Sequence, residues 1–481
     1  MKQNQVKFRK FLLVCLLVMM TVQIVLGFAW MAVNLTNIPL FGDSTEYYEL
    51  SQSLQVDEYR PLLYPLIIRM ADTAAKHLPI AYQTLVYLVQ TVICILSVWF
   101  LAEQLGGILF PVQKKRGTAL FHAATFFVSL YITCIPLITF MNFSVLTDSI
   151  ATSMLLLMIG ALIRIFHVSE TDWKNYLVIA VSMLVEYTIR ADRLYTCTLF
   201  LVISFGIWLF RQRKKAFFKR CLALSLAAVL VSTGAATAFN KATQHPGIYG
   251  RISTTLGFVL LDRVVWPNMA QNYDDFSDEI KGLITREDAE TFDEHNNNVM
   301  YQMAPLLREK AGVERTEELY KEMAAVVFKN QPGKVIFDIL EDITSVIFTP
   351  VSAFLSVYGL AETADDWNLY CVSRSSETLS NMFYQYYLHT FLLLFLAGWL
   401  LLILKRVKRA AGSTKKENGI SISQLLAPGF LLCVIIALWF SIGDGAPPND
   451  RYAMLHYVIW TFWALGVCFG GICGRKSKSK K

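Results

Sequence analysis

Long apolar runs, separated by short polar segments, are the dominant pattern along this chain. A bilayer core about 30 Å thick requires about 20 apolar residues in a helix, and about ten runs meet or approach that length. They cover residues 11–32, 81–102, 118–139, 146–166, 175–189, 194–210, 221–239, 385–404, 421–441 and 453–472. The pattern predicts an all-α polytopic membrane protein with about ten transmembrane helices. The first run is too long for the core of a signal peptide, so we expect a retained helix.

The amino-acid composition supports a membrane protein. Hydrophobic residues make up 55% of the 481 residues and charged residues 17%, whereas soluble proteins carry about 25% charged residues. These values exclude a disordered chain and argue against a purely water-soluble enzyme. The net charge of +7 does not indicate a nucleic-acid partner, because the charges lie between the apolar runs.

The distribution of lysine and arginine predicts the direction of the runs. Short cytoplasmic segments of membrane proteins concentrate positive charge. With the N-terminus inside, 26 of the 44 Lys and Arg residues fall on the inner side of ten spans, and so does the basic tail 473–481. We therefore expect a multi-pass protein of the cytoplasmic membrane, with both termini cytoplasmic and membrane lipids as partners.

Two longer polar segments fall on the outer side. Residues 240–384 have an acidic centre and helix-like patterning such as EELYKEMAAVVFK, which predicts a small, mainly helical extracytoplasmic domain. The outer loop 33–80 is amphipathic and predicts two short helices in the membrane interface. The predicted organisation is a transmembrane module over 1–239, the outer domain over 240–384, C-terminal transmembrane helices over 385–472 and a basic cytoplasmic tail over 473–481.

Ionisable residues recur at the outer ends of the predicted spans, where charge is costly and commonly functional. The candidates are Asp43 and Glu46 after the first run, Arg60 in the same outer loop, Asp148 at the start of the fourth run, Arg190, Asp192 and Arg193 after the fifth, and Asp450, Arg451 and Tyr452 before the last. Tyr47 directly follows Glu46, and Tyr64 lies four positions after Arg60. The predicted topology puts all of them on the outer side, as a site at the membrane surface requires.

Each ionisable candidate also has a structural interpretation. Asp43 and Asp148 are suitable N-caps for the helices that follow them. Arg190, Arg193 and Arg451 can serve as interface anchors or lipid-headgroup contacts. The remaining structural interpretations are an exposed Arg60, a pairing of Glu186 with a neighbouring arginine, and interior positions for His122 and His456.

In chain order, the candidate clusters resemble the GT-C superfamily of membrane glycosyltransferases, in the branch of protein O-mannosyltransferases and bacterial lipid A aminoarabinose transferases. The matching segments are GDSTEYY at 42–48, RPLLYP at 60–65, LTDS at 146–149, RADR at 190–193 and NDRY at 449–452. The resemblance covers residues 10–210 and, less closely, 421–472. It departs from the family at Leu62 and in RADR, where relatives have proline, and at Asp450, where glutamate is usual.

The resemblance implies an inverting enzyme that moves a sugar from a polyprenyl-phosphate donor to an envelope acceptor on the extracytoplasmic face. The acceptor is a lipid, a glycopolymer or a protein. We assign Asp43 as the general base that takes the proton of the acceptor hydroxyl, with Asp148 as a second acid. The sequence does not require a metal, but if a divalent cation such as Mg²⁺ or Mn²⁺ binds, these two carboxylates would be its ligands.

The leaving group of this reaction is a phosphate, which calls for cations near the departing oxygen. The candidates for phosphate binding are Arg60, Arg190, Arg193 and Arg451. The residues assigned to the acceptor side or to support are Glu46, Tyr47, Tyr64, Asp192, Asp450 and Tyr452.

Two other classes of function also fit a chain with about ten spans. A transporter or lipid flippase usually places its polar residues near the bilayer midplane and shows internal repeats. Here the charged clusters lie at one predicted surface, and we find no repeat. An envelope polysaccharide polymerase or ligase would differ from the transferase mainly in its acceptor.

Overall fold

The computed structural model of this chain consists of helices and short connections. The residues that it describes are 2–33, 43–56, 60–109, 119–168, 172–190, 215–243, 257, 260–294, 299–338, 340, 400, 458 and 461. Regular secondary structure in these ranges is helical, and they contain no strand. The predicted all-α class is therefore confirmed for the described part of the chain.

Nine helices fall within the described residues up to position 243. They are α1 (Lys2–Val33), α2 (Ser44–Ser53), α3 (Leu63–Ala75), α4 (Tyr82–Leu109), α5 (Ala119–Thr133), α6 (Pro136–Asn142), α7 (Asp148–Val168), α8 (Trp173–Ile189) and α9 (Lys215–Thr243). Helices α2 and α3 lie where the amphipathic pattern predicts two short helices. Their position in a membrane interface stays a prediction.

Two of these helices are long and apolar enough to cross a membrane, over Tyr82–Gly107 and Asp148–Ile165. The apolar stretches of α1 and α5 are shorter. The predicted run 194–210 lies outside the described residues, and so do nearly all residues of the three C-terminal runs. Ten spans therefore stay a prediction.

The predicted run 118–139 forms two helices, α5 and α6, with a short break between them. Pro136 begins α6, because proline lacks a backbone donor and disfavours a helical conformation in the residue before it. Gln23 of α1 satisfies a carbonyl group at this break, since its side-chain amide donates to Thr133 O at 2.6 Å. The Thr139 hydroxyl donates to the Gln23 carbonyl oxygen at 3.4 Å.

Helices α4 and α7 run in the same direction. Near the start of both, the Gln90 side chain donates to Ser144 O at 2.9 Å, just before α7. Farther along, Phe100 of α4 packs directly on Gly160 of α7. The close approach at Gly160 follows from the missing Cβ, which lets the two helix backbones come near each other.

Helices α8 and α9 are also parallel. Ser232 donates to Ala180 O and Asn240 donates to Tyr187 O, both at 2.9 Å. The end of α8 and the beginning of α9 therefore lie at opposite ends of the bundle. The predicted run 194–210, which would join them, lies outside the described residues.

One apolar core joins α2, α3, α4, α7 and α8 at the end of the bundle where α4 and α7 begin. Its buried members are Tyr47, Tyr64, Ile68, Ala71, Val86, Tyr87, Phe143, Val145, Ile150, Met154 and Ile189. Close packing of these side chains holds the short helices against the long ones. Among the candidate site residues, Tyr47 and Tyr64 belong to this core.

A second group of helices occupies residues 260–338. Its elements are a π-helical turn (Leu260–Val265), a 3₁₀ turn (Trp266–Asn268), α10 (Met269–Asn272), a 3₁₀ turn (Tyr273–Asp275), α11 (Asp278–Leu283), α12 (Arg286–Glu294), α13 (Val299–Ala311) and α14 (Val313–Asn330). They bury a core of their own that includes Met303, Tyr320 and Val327. The helical character expected for 240–384 is present in its described residues, whereas the extracytoplasmic location stays a prediction.

Replacing Gly160 with alanine is expected to lower the melting temperature of the protein. A Cβ at this position would lie 2.7 Å from the Phe100 ring, so the ring or the two helices would have to shift, at a cost of about 1–3 kcal/mol. Gly234→Ala in α9 is the matched control, because a Cβ there meets no atom within 4 Å. Thermal unfolding in detergent micelles compares the two variants, and equal melting temperatures would contradict the tight contact.

Candidate functional site

Asp43 immediately precedes α2. Its backbone carbonyl accepts a hydrogen bond from Tyr47 N–H at 3.0 Å, but its side chain makes no capping hydrogen bond. The carboxylate Oδ1 lies 3.3 Å from Nη2 of Arg60. The interpretation of the Asp43 side chain as a helix cap is therefore wrong.

Arg60 lies between two carboxylates and an aromatic ring. Its Nη2 is 2.6 Å from Oε2 of Glu46, in addition to the contact with Asp43. The two acids are three positions apart at the start of α2, which puts them on one face of the helix. The guanidinium carbon lies 5.0 Å from the centroid of the Tyr47 ring, within cation–π range. The Arg60 side chain is only 10% exposed, so the alternative prediction of an exposed Arg60 is wrong.

Asp148 and Arg190 form a second ion pair, which is more deeply buried. Oδ1 of Asp148 lies 3.1 Å from Nη1 of Arg190, and their side chains are 3% and 10% exposed. Asp148 is the first residue of α7, where the helix dipole favours a negative charge. The residue in the capping position is Thr147, whose carbonyl accepts from Ala151 N–H.

Arg190 is positioned by the end of α8. Its N–H donates to Glu186 O at 2.8 Å, and its backbone is extended, at φ −141° and ψ 113°. The change from helical to extended geometry at this residue turns the chain out of α8. The side chain then reaches the start of α7, 42 residues earlier in the sequence.

Tyr47 and Tyr64 link the two ion pairs. Their rings meet edge to face, with centroids 5.0 Å apart and an interplanar angle of 79°. Burial raises the pKa of Tyr47, the Arg60 guanidinium lowers it, Asp43 raises it and Arg190 lowers it again. Both tyrosines share one buried core with Ile150 and Ile189, which lie within two positions of Asp148 and Arg190.

Tyr64 is completely buried beneath Tyr47. Burial raises its pKa well above the usual value, and the neighbouring Tyr47 and the Asp148 carboxylate raise it further. Its hydroxyl donates to Oε1 of Gln90 at 2.9 Å. Both tyrosines therefore keep their protons at neutral pH, and Tyr64 uses its proton to donate to Gln90.

Seven of the predicted site residues thus meet around one aromatic pair. We refer to them as the Tyr47 cluster, which consists of Asp43, Glu46, Tyr47, Arg60, Tyr64, Asp148 and Arg190. With the carboxylates ionised, three negative and two positive groups give the cluster a formal charge of −1. The described part of the site is therefore slightly acidic, whereas a site that only binds phosphate would be basic.

The two predicted catalytic acids occupy different environments. The side chain of Asp43 is 29% exposed, whereas that of Asp148 is 3% exposed. An exposed carboxylate can contact a ligand and exchange protons with solvent. A buried carboxylate held by arginine serves mainly to fix its partner and the helices that carry both groups.

Gln90 of α4 is a member of the site that the sequence reasoning missed. It is completely buried and bonds both to Tyr64 and to the loop that leads into α7. A signal was present, because Gln90 is a lone amide in the apolar run VYLVQTVICIL. Polar side chains inside apolar helices commonly make hydrogen bonds between helices.

The other candidates have different outcomes. Glu186 is buried in α8. His122 is half-buried and packs edge to face on Phe121 with ring centroids 5.5 Å apart, so a fully interior position is not confirmed for it. Six candidates lie outside the described residues: Asp192, Arg193, Asp450, Arg451, Tyr452 and His456.

Within the described ranges, no group of three or more His, Cys, Asp and Glu side chains is arranged to hold a metal. Binding of Mg²⁺ or Mn²⁺ stays a prediction.

Comparison with known proteins identifies no relative. No protein-family model, no curated protein and no solved structure matches this chain. The resemblance to GT-C enzymes therefore rests on the motifs in the sequence.

Arg190→Gln is expected to destabilise the protein by about 3–5 kcal/mol, because it leaves the buried Asp148 carboxylate without this cation. Adding Asp148→Asn to the variant removes the charge and should restore part of the loss. Arg69→Gln is the matched control, since Arg69 is exposed on α3 and donates only a long hydrogen bond of 3.3 Å to Gln52 O, the loss of which should cost about 1 kcal/mol or less. Chemical unfolding measures all of them, and a double variant no more stable than Arg190→Gln would contradict the pairing.

Proposed function

We propose that this chain is a polytopic glycosyltransferase of the GT-C type, which moves a sugar from a polyprenyl-phosphate donor to an envelope acceptor. The observation that supports this proposal is the convergence of the Tyr47 cluster. Its members come from segments 43–47, 60–64, 148 and 190, which are far apart in the sequence and carry the GT-C-like motifs. Accidental motif matches would have no physical reason to meet around one aromatic pair.

We further propose that the chain spans the membrane about ten times, with the Tyr47 cluster on the outer face. The directions of the helices support this arrangement. The cluster lies where α4 and α7 begin and α8 ends, whereas the basic residues Arg164, Lys174 and Lys215 lie toward the opposite ends of α7, α8 and α9. This separation agrees with the rule that positive charge stays on the cytoplasmic side.

In the proposed reaction, Asp43 is the general base. Its carboxylate takes the proton of the acceptor hydroxyl while the hydroxyl oxygen forms a bond to the anomeric carbon. The bond between that carbon and the phosphate oxygen breaks, and its electron pair leaves with polyprenyl phosphate. Attack from the face opposite the leaving group inverts the configuration. Asp43 suits this role because it is the more exposed of the two aspartates.

Both arginines of the Tyr47 cluster form ion pairs with carboxylates of the cluster. Arg60 contacts Asp43 and Glu46, and Arg190 contacts Asp148. We therefore propose that these two arginines mainly orient the acids. Arg193 and Arg451 would then neutralise most of the charge that develops on the phosphate, because guanidinium groups pair with phosphate oxygens in a bidentate manner.

The test is transfer of radiolabelled hexose from polyprenyl phosphate to an envelope extract by the full chain in proteoliposomes. Asp43→Asn is expected to lower the transfer rate by about 10²–10⁴-fold, the usual contribution of a general base. Asp72→Asn is the matched control, because Asp72 pairs with Lys76 on the neighbouring helix α3 and lies outside the cluster. That variant should keep the wild-type rate.

Two results would count against the proposal. Full activity of Asp43→Asn would remove Asp43 as the base. Absence of transfer by the wild-type protein, combined with movement of the labelled lipid between leaflets, would favour a flippase.

A further inference from the structure

Gln90 contacts two parts of the site, Tyr64 of α3 and the loop that leads into α7. The residue lies in the third turn of α4 and is completely buried. Its amide nitrogen donates to Asn142 O at 3.0 Å and to Ser144 O at 2.9 Å, and Met141 O lies 3.4 Å away. Its amide oxygen accepts the Tyr64 hydroxyl at 2.9 Å. One side chain therefore bonds to the α6–α7 loop and to α3 at once.

The carbonyl oxygen of the Gln90 amide is connected to Asp43 through a chain of contacts. The bond to Gln90 fixes the rotation of Tyr64, and the Tyr64 ring supports Tyr47 edge to face at 5.0 Å. The Tyr47 ring in turn carries the Arg60 guanidinium, which holds the Asp43 carboxylate. A change in the position of Tyr64 would thus be passed to the proposed base.

The nitrogen of the Gln90 amide is connected to Asp148 through the loop before α7. The backbone carbonyls of Asn142 and Ser144 belong to the bend between α6 and α7, which ends at the first residue of α7. Carbonyl groups in such a bend lack helical partners, and in a buried site each requires a donor. Gln90 supplies that donor to two of them, so it fixes the loop that aims Asp148 at Arg190.

The chemistry of this junction requires an amide. A glutamine side chain offers two N–H donors and one carbonyl acceptor in a single plane. A carboxylate has only acceptors and would repel the two backbone carbonyls, and a thioether or alkyl chain of the same length would serve neither partner. Asparagine carries the same group on a shorter stem. Position 90 therefore requires a glutamine, although its place in an apolar helix would accept an apolar side chain.

We propose that Gln90 is the positioning residue that holds Asp43 and Asp148 in a fixed mutual arrangement. It touches neither acid and acts through Tyr64 on one side and through the 142–147 loop on the other. The effect on transfer rests on the proposed function, whereas the effect on the loop does not.

The first test is hydrogen exchange measured by mass spectrometry on the full chain in nanodiscs. Gln90→Met keeps the length and bulk of the side chain and removes its hydrogen bonds. We expect amides of residues 143–151 to exchange about tenfold faster, with little change in α8 and α9. Gln23→Met is the matched control, because Gln23 is an equally buried glutamine that bonds at the α5–α6 break. Its effect should centre on residues 134–139.

The second test separates positioning from general loss of structure. Gln90→Met should lower kcat of hexose transfer by about 10–100-fold, the cost of misaligned reacting groups, with the donor KM nearly unchanged. Tyr64→Phe removes one bond of the junction and keeps the ring, so it should lower kcat less and should leave loop exchange as in the wild type. Gln90→Glu should be at least as impaired as Gln90→Met.

The outcomes are distinct. Unchanged exchange at 143–151 in Gln90→Met would overturn the positioning role, whatever the protein's activity. Faster exchange there without any transfer by the wild-type protein would keep the role of Gln90 and remove the proposed function. Faster exchange with an unchanged kcat would show that the loop does not control the reacting groups, and would overturn the link to Asp43 and Asp148. If Gln90→Met yields little folded protein, Tyr64→Phe provides the test instead. A wild-type kcat in Tyr64→Phe would contradict the link from Gln90 through Tyr64 to Asp43.

Discussion

An ionised carboxylate in a buried position is stabilised by a nearby cation, and the pair of Asp148 with Arg190 is the contact on which the site depends. Desolvation of either charge alone would cost several kcal/mol, so the two side chains must stay together in the folded protein. One belongs to the start of α7 and the other to the end of α8. The pair therefore fixes the relative position of two long helices at the end of the bundle where the short helices α2 and α3 also pack.

Neutral polar side chains extend the same constraint through the bundle. Gln23 bonds at the break that Pro136 introduces, and Gln90 bonds at the bend before α7. In both places the chain leaves helical geometry, and backbone carbonyls lose their usual partners. A buried amide supplies a donor that water would supply at a surface. Interruptions of apolar helices are thus stabilised by side chains from neighbouring helices.

The environments of the two aspartates suggest a division of roles within the proposed function. Asp148 is buried and fixed, whereas Asp43 is partly exposed and shares Arg60 with Glu46. Enzymes commonly assign different tasks to two carboxylates by placing them in different surroundings. Under the proposed function, the exposed aspartate would exchange protons with the acceptor and the buried one would maintain the geometry. The tyrosines between them stay neutral, because burial opposes the loss of their protons.

The sequence by itself determined the local structure of the described part of the chain and the identity of most of the cluster. Apolar runs of helical length predict α1, α4, α7, α8 and α9, and Pro136 accounts for the break that run length alone does not reveal. Charged residues at the ends of those runs were identified because charge is costly there. Only the tertiary structure decided that Arg60 serves two carboxylates, that Asp148 is the buried acid and that Gln90 joins both sides of the site. These facts depend on contacts between residues 14 to 54 positions apart, and such contacts leave no periodic signal in the sequence.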